Sequence, residues 1–153
     1  MATILLIDDN STLRAMIEGI LTGVGHRVEF ATTGGDGVAR YRANPAEVII
    51  CNLFMPKSQG VKAVAALRKI NEHVQILAIS GMASLLRDQN LPIAERFDSV
   101  RILSRPFQPA ALLRLIDEMV AIYDLKKYKC VAVVPKLGPP TYPIPARFLA
   151  RAL

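Results

Sequence analysis

Only two cysteines occur in the 153 residues, Cys51 inside an apolar run and Cys130 far downstream. Two such distant residues do not make a disulfide framework. No apolar run approaches the roughly 18 residues that a membrane span requires. The opening "MATILLIDDN" has no basic leader and reaches two acids by Asp9, which argues against a secretory signal. These absences predict a cytoplasmic protein without a membrane span. No acid follows Asp124, and that last absence divides the chain.

The formal charge is +6, which as a total resembles a nucleic-acid footprint. It is unevenly placed. Residues 1–125 hold 13 Lys and Arg against 13 Asp and Glu. The remaining residues, 126–153, hold Lys126, Lys127, Lys129, Lys136, Arg147 and Arg151 with no acid, and five of the ten prolines. The chain therefore reads as a neutral domain followed by a basic, proline-rich C-terminal extension, with the boundary near Leu125. Hydrophobic residues make up 52% and charged residues 21%, an ordinary globular balance in a length suited to one core.

Within 1–125 the elements alternate. "TILLID" is apolar on both faces, as a central parallel strand would be. Asn10-Ser11 offers a cap to "TLRAMIEGILTGVG", where Leu13, Ile17, Ile20 and Leu21 recur at helical spacing. "HRVEFAT" predicts a second strand nearer an edge, "GGDGVARYRA" a glycine-weakened helix, and "AEVIICN" a third strand. "VKAVAALRKIN" and "VQILAIS" supply the next helix and strand. "SLLRDQNLPIAERF" predicts a helix interrupted or restarted near Pro92, "SVRILS" a fifth strand, and "PAALLRLIDEMVAIYDL" a long helix with Pro109 in its first turn. This is (βα)5, a doubly wound α/β parallel sheet.

Ligand sites in such sheets form outside the carboxyl ends of the strands. This chain places Asp8 and Asp9 there after the first strand, Asn52 after the third, Ser80-Gly81 after the fourth and Ser104-Arg105-Pro106 after the fifth. Carboxylate and amide oxygens suit a hard cation such as Mg²⁺. The hydroxyl and guanidinium suit phosphate oxygens. Simpler readings exist for parts of this set: Asp8-Asp9 as a helix cap, Ser80-Gly81 as an ordinary turn. Cys51 reads as a core residue, and His26 and His73 as surface residues away from the acids.

The motifs "LLIDDN", "NLFMP…G", "AISG" and "SRPF", in that order and spacing, resemble the receiver domain of the two-component response regulators over about residues 1–125. That resemblance implies a flavodoxin-like sheet of order 2-1-3-4-5 and phosphoryl transfer from a histidine kinase to an aspartate beside bound Mg²⁺. Position by position, Asp8 and Asp9 match the metal-binding acids, and Ser80 the residue that hydrogen-bonds the phosphoryl group. Met55 and Pro56 match the turn after the acceptor, and Gly60 the glycine opening the next helix.

Three working positions depart. The phosphoacceptor position falls on Asn52, whose neutral amide lacks the electron density of an attacking carboxylate. Arg105 replaces the usual lysine, and its bulkier planar fork is expected to pair with Asp8 or Asp9. Ile102 replaces the switch aromatic and is expected simply to pack. The resemblance thus implies a non-enzymatic pseudo-receiver, with weak or absent Mg²⁺ binding through Asp8, Asp9 and Asn52. It would work through contacts with a histidine kinase or a downstream effector. Two alternatives stand beside it. One is a normal phosphoacceptor regulator carrying an engineered Asp→Asn at position 52. The other is a Mg²⁺-dependent phosphatase-type enzyme using Asp8, although the Asp-x-Asp of the haloacid dehalogenases is missing.

The extension lies outside the resemblance. "CVAVV" is β-prone, "GPPTYPIP" favours extended polyproline backbone, and "ARFLARAL" is too short to be a stable helix alone. It is too short for a DNA-binding output domain and lacks a helix-turn-helix pattern. Self-association is a candidate role, through this tail or through the face of the last helix and strand.

Overall fold

The computed structural model describes residues 1–81 and 100–131. Five parallel strands, β1 (Thr3–Ile7), β2 (Arg27–Ala31), β3 (Val48–Asn52), β4 (Gln75–Ser80) and β5 (Val100–Ser104), form one sheet of order β2-β1-β3-β4-β5. Helices α1 (Ser11–Gly23), α2 (Gly34–Ala43), α3 (Gln59–Ile70) and α4 (Pro109–Val131) connect or flank them, and a 3-10 turn at Pro56–Ser58 precedes α3. The flavodoxin-like (βα)5 expectation holds for strand type and order. The helix expected near Pro92 lies outside the described residues.

The strands are apolar on both faces because both faces are covered. Side chains alternate along each strand, so β1 sends Ile4 and Leu6 to one core and Leu5 and Ile7 to the other. The first core packs under α1 and α4, with Leu13, Ile17, Leu21, Leu112, Ile116 and Met119. The second takes Tyr41 from α2 and Ala63, Val64 and Leu67 from α3. Cys51 is wholly buried there, and burial pushes its thiol up to about 12. It is a core residue and not a thiolate nucleophile.

Local signals set several helix boundaries. Asn10 caps α1 by accepting from Leu13 N at 2.9 Å, and Thr33 caps α2 through Asp36 N at 3.1 Å. At its other end the chain departs from expectation. Helix α4 runs through Leu125 to Val131, so Cys130 and Val131 are helical and do not begin a β-run. The change in charge near Leu125 therefore does not coincide with a break in the backbone. The rest of the extension, residues 132–153, lies outside the described residues.

Strand order reverses between β1 and β3, which opens a crevice at their carboxyl ends. One glycine controls how tightly that crevice is built. A Cβ on Gly60 would stand 2.0 Å from the Asn52 carbonyl oxygen and 2.7 Å from Leu53 Cα. Both are backbone atoms that cannot swing aside, so α3 seats against β3 only because position 60 has no side chain. Gly19 is the opposite case: it lies mid-helix in α1, and a Cβ there would meet nothing within 4 Å.

Urea denaturation should separate the two sites. Gly60→Ala is expected to cost about 2–4 kcal/mol, in the range of backbone-level overpacking. Gly19→Ala is expected to add about 0.5–1 kcal/mol by removing unfolded-state freedom. Equal effects at the two positions would contradict this packing account.

Candidate functional site

Asp8 follows β1 directly and is wholly buried. Its backbone is clamped on both sides: Asp8 N donates to Ala31 O at 3.0 Å, and Arg14 Nη1 donates to Asp8 O at 2.8 Å. The Arg14 guanidinium also lies 5.3 Å from the centre of the Phe30 ring, a cation–π arrangement. The carboxylate Oδ1 accepts from Asn10 N at 2.8 Å and from Asn52 Nδ2 at 3.1 Å. Oδ2 is buried with no hydrogen-bond partner. Asp9, the next residue, is exposed. The two acids share a loop but not an environment.

Burial raises the Asp8 pKa, and the Asp9 charge adds to that. The hydrogen bonds from Asn10 and Asn52, and the field of Arg105, act in the opposite direction without overcoming it. A buried carboxylate with one unpaired oxygen is an expensive group to keep ionised.

Asn52 ends β3 and is 4% exposed. Its amide is used at both ends. Nδ2 donates to Asp8, while Oδ1 accepts from Phe54 N at 3.0 Å. These partners fix which end of the amide faces Asp8, because an N–H cannot accept from Phe54. An aspartate in this place would set a second carboxylate oxygen against Asp8; the amide sets a donor there instead.

The turn that follows is well defined. Met55 is buried in the α2/α3-side core, Pro56 opens the 3-10 turn, and Lys57 takes a left-handed backbone with φ of 56°. Gly60 then admits α3 against β3. The turn is stapled to α2 by Gln59 Oε1, which accepts from Gly34 N at 3.1 Å.

Ser80 ends β4 wholly buried, and its carbonyl accepts from Arg105 N at 2.8 Å. Arg105 does not make the expected ion pair: among the described residues no salt bridge joins it to Asp8 or Asp9. Its guanidinium instead lies across Gly81, where a Cβ would come within 2.7 Å of Nη2, and its Nε is buried without a partner. The absence of a side chain at Gly81 leaves that path open. Ile102 pairs with Ala78 and packs against the α2/α3-side core, in line with the expectation that it packs.

The structure thus gathers Asp8, Asn52, Ser80 and Arg105 at one edge of the sheet, with Asp9 exposed at the rim. Sequence reading overlooked Arg14 and Phe54. Arg14 sits six residues after Asp8, one helical turn into α1, which is the available signal for its role. Phe54 contributes a backbone N–H, which no sequence pattern exposes.

The donor set can be tested against Mg²⁺. Asp8 Oδ2 and the Asp9 carboxylate are hard oxygen donors without competing hydrogen bonds, and such a cation accepts few protein ligands and keeps waters. Asn52 contributes less, since its oxygen is already engaged by Phe54 N. Among the described residues no group of three or more His, Cys, Asp or Glu is placed to hold a metal. Asp8 and Asp9 would offer such an ion two carboxylates, and Asn52 only a neutral amide.

Because the folded state holds the Asp8 proton more tightly than the unfolded chain, Asp8 favours folding at acid pH. That contribution is lost as pH rises through the raised pKa. Asp8→Asn is therefore expected to stabilise the protein at pH 7 by on the order of 1 kcal/mol. The gain should shrink toward acid pH, where Asp8 is protonated in both states. Thermal denaturation across that range checks it, and a gain that grows on acidification would contradict the assignment.

Residues 4–117 match the family model described as response regulator receiver domain. The chain is 25% identical to the chemotaxis protein CheY of Thermotoga maritima over 118 residues, 76% of this chain and 95% of the relative. It is 29% identical to protein PilH of Pseudomonas aeruginosa, covering 79% of this chain and 99% of that one. The crystal structure of a CheY-like receiver domain protein from Methanospirillum hungatei superposes with a TM-score of 0.73 at 21% identity, covering 82% of this chain and 98% of that one. With its sheet order, its acid-lined crevice and a family match over most of the folded region, the chain belongs to the response regulator receiver domain family of two-component signalling.

Proposed function

We propose that this receiver signals through protein contacts without forming a phosphoaspartate at position 52. The observation that carries the reading is the 3.1 Å hydrogen bond from Asn52 Nδ2 to Asp8 Oδ1. Receiver domains are signalling modules that engage kinases or effectors and bind Mg²⁺ at the phosphorylation site. In this chain the acceptor position carries an amide already committed to two partners. An attacking oxygen needs negative charge and freedom to approach phosphorus; Asn52 has neither.

The neighbouring acids do not replace it. Asp8 is buried, biased toward its neutral form and half occupied by hydrogen bonds. Asp9 is exposed at the rim and is the better candidate to hold Mg²⁺ with water. Replacing a third carboxylate by an amide removes one negative charge from the cation's surroundings, so binding should be weaker than with three acids. Ile102 has no ring to rotate and no hydroxyl to rebond, and it is already packed on the core. The β5 face therefore stays in one arrangement and presents a constant surface. Among the described residues no helix is long and apolar enough to cross a membrane.

Incubation with acetyl phosphate and Mg²⁺, read by intact mass, tests the reading. The unaltered chain is expected to gain no acid-stable phosphoryl adduct, while Asn52→Asp is expected to regain labelling, since Met55, Pro56 and Gly60 still build the turn and Ser80 still ends the neighbouring strand. Phosphorylation of the unaltered chain on an aspartate would overturn the proposal.

A further inference from the structure

The opposite edge of the sheet carries a second recess, remote from Asn52. His26 and Glu47 precede β2 and β3, Arg101 stands near the start of β5, and α4 lines the side of an open recess of about 1080 Å³. The helix contributes an apolar strip of Val120, Ala121, Ile122 and Leu125, the last 50% exposed. A single large aliphatic side chain left half in water on a core-packed helix is unremarkable. Here it borders a recess with acids on its rim.

Four carboxylates surround that strip. Glu47 accepts from Thr3 N at 3.1 Å, and Glu118 is paired with Arg101. Asp117 and Asp124, also in the lining, have no hydrogen bond or ion pair among the described residues. The surface thus offers an apolar strip and two unengaged negative charges, and it calls for a segment that is apolar and basic.

The chain itself contains such a segment. Residues 132–153 hold Lys136, Arg147 and Arg151, no acid, and the apolar residues Val133, Val134, Leu137, Ile144, Phe148 and Leu149. Geometry places its origin beside the recess. Val131 is six residues past Leu125 on the same helix, a rise of about 9 Å. Twenty-two extended residues can span roughly 70 Å, so the segment can turn back without strain. Tethering also gives it an effective concentration on the order of millimolar, which favours its own domain over other partners. We propose that residues 132–153 dock in cis into this recess, basic side chains against Asp117 and Asp124 and apolar ones on the α4 strip. The tail is then withheld from other partners by the base of its own receiver domain.

Limited trypsin digestion of the full chain, followed by mass spectrometry, tests this at Lys136 and Arg147. At low salt, cleavage there should be about tenfold slower in the unaltered protein than in Asp117→Lys/Asp124→Lys. The difference should disappear near 0.5 M salt, where charge attraction is screened within roughly 4–5 Å. The salt series on the unaltered chain makes the same test without any substitution. Protection should not change with protein concentration. Equal cleavage of the two proteins at low salt, or a rate that salt does not alter, would overturn the proposal. Protection that grows with concentration would overturn it too, by assigning the recess to the tail of a second copy.

Discussion

A single hydrogen bond between two side chains at the ends of neighbouring strands organises the functional edge of this protein. Asn52 and Asp8 meet across the point where the sheet reverses its winding, where connections running to opposite faces open a crevice at the carboxyl ends of β1 and β3. With a carboxylate on each side, such a meeting would be repulsive and would need a cation to resolve it. With an amide on one side it is attractive without any ion. The contact at the crevice is thus made by the protein's own groups.

The fold makes that contact hard to loosen. Asn52 is held by sheet pairing to Ile79, by its own acceptance from Phe54 N, and by α3 lying against its carbonyl at a glycine. Asp8 is held by Ala31, by Asn10 and by Arg14, itself stacked on Phe30. Neither side chain can turn away without breaking bonds that serve the backbone. Around them, Ile102 packs on the core and Arg105 lies across Gly81.

Much of this was legible in the sequence. The parallel (βα)5 alternation followed from the apolar pattern, since runs such as "VIICN" bury both faces and so mark central strands, while the strand order followed from the resemblance to receiver domains. The acid pair, the acceptor turn and Asn52 could be placed because each follows a strand directly. What the sequence hid were matters of direction. The expected pairing of Arg105 with the acids failed because the side chain's path depends on the bare Gly81 backbone, which composition does not show. Asp8 and Asp9 look equivalent as letters, yet one is buried and the other exposed because alternate side chains at a strand end point to different sides. The extent of α4 was also missed: the change of charge near Leu125 marks a change in surface chemistry, and the helix continues through it.

The most direct test concerns the Asn52–Asp8 contact itself and needs no phosphoryl donor. Carbon-detected NMR can follow the Asp8 carboxyl group through a pH titration in the unaltered chain and in Asn52→Ala. The Asn52 amide helps to hold the ionised form of Asp8, so its removal is expected to move the Asp8 titration to higher pH. An unchanged or lowered Asp8 titration in Asn52→Ala would contradict the account.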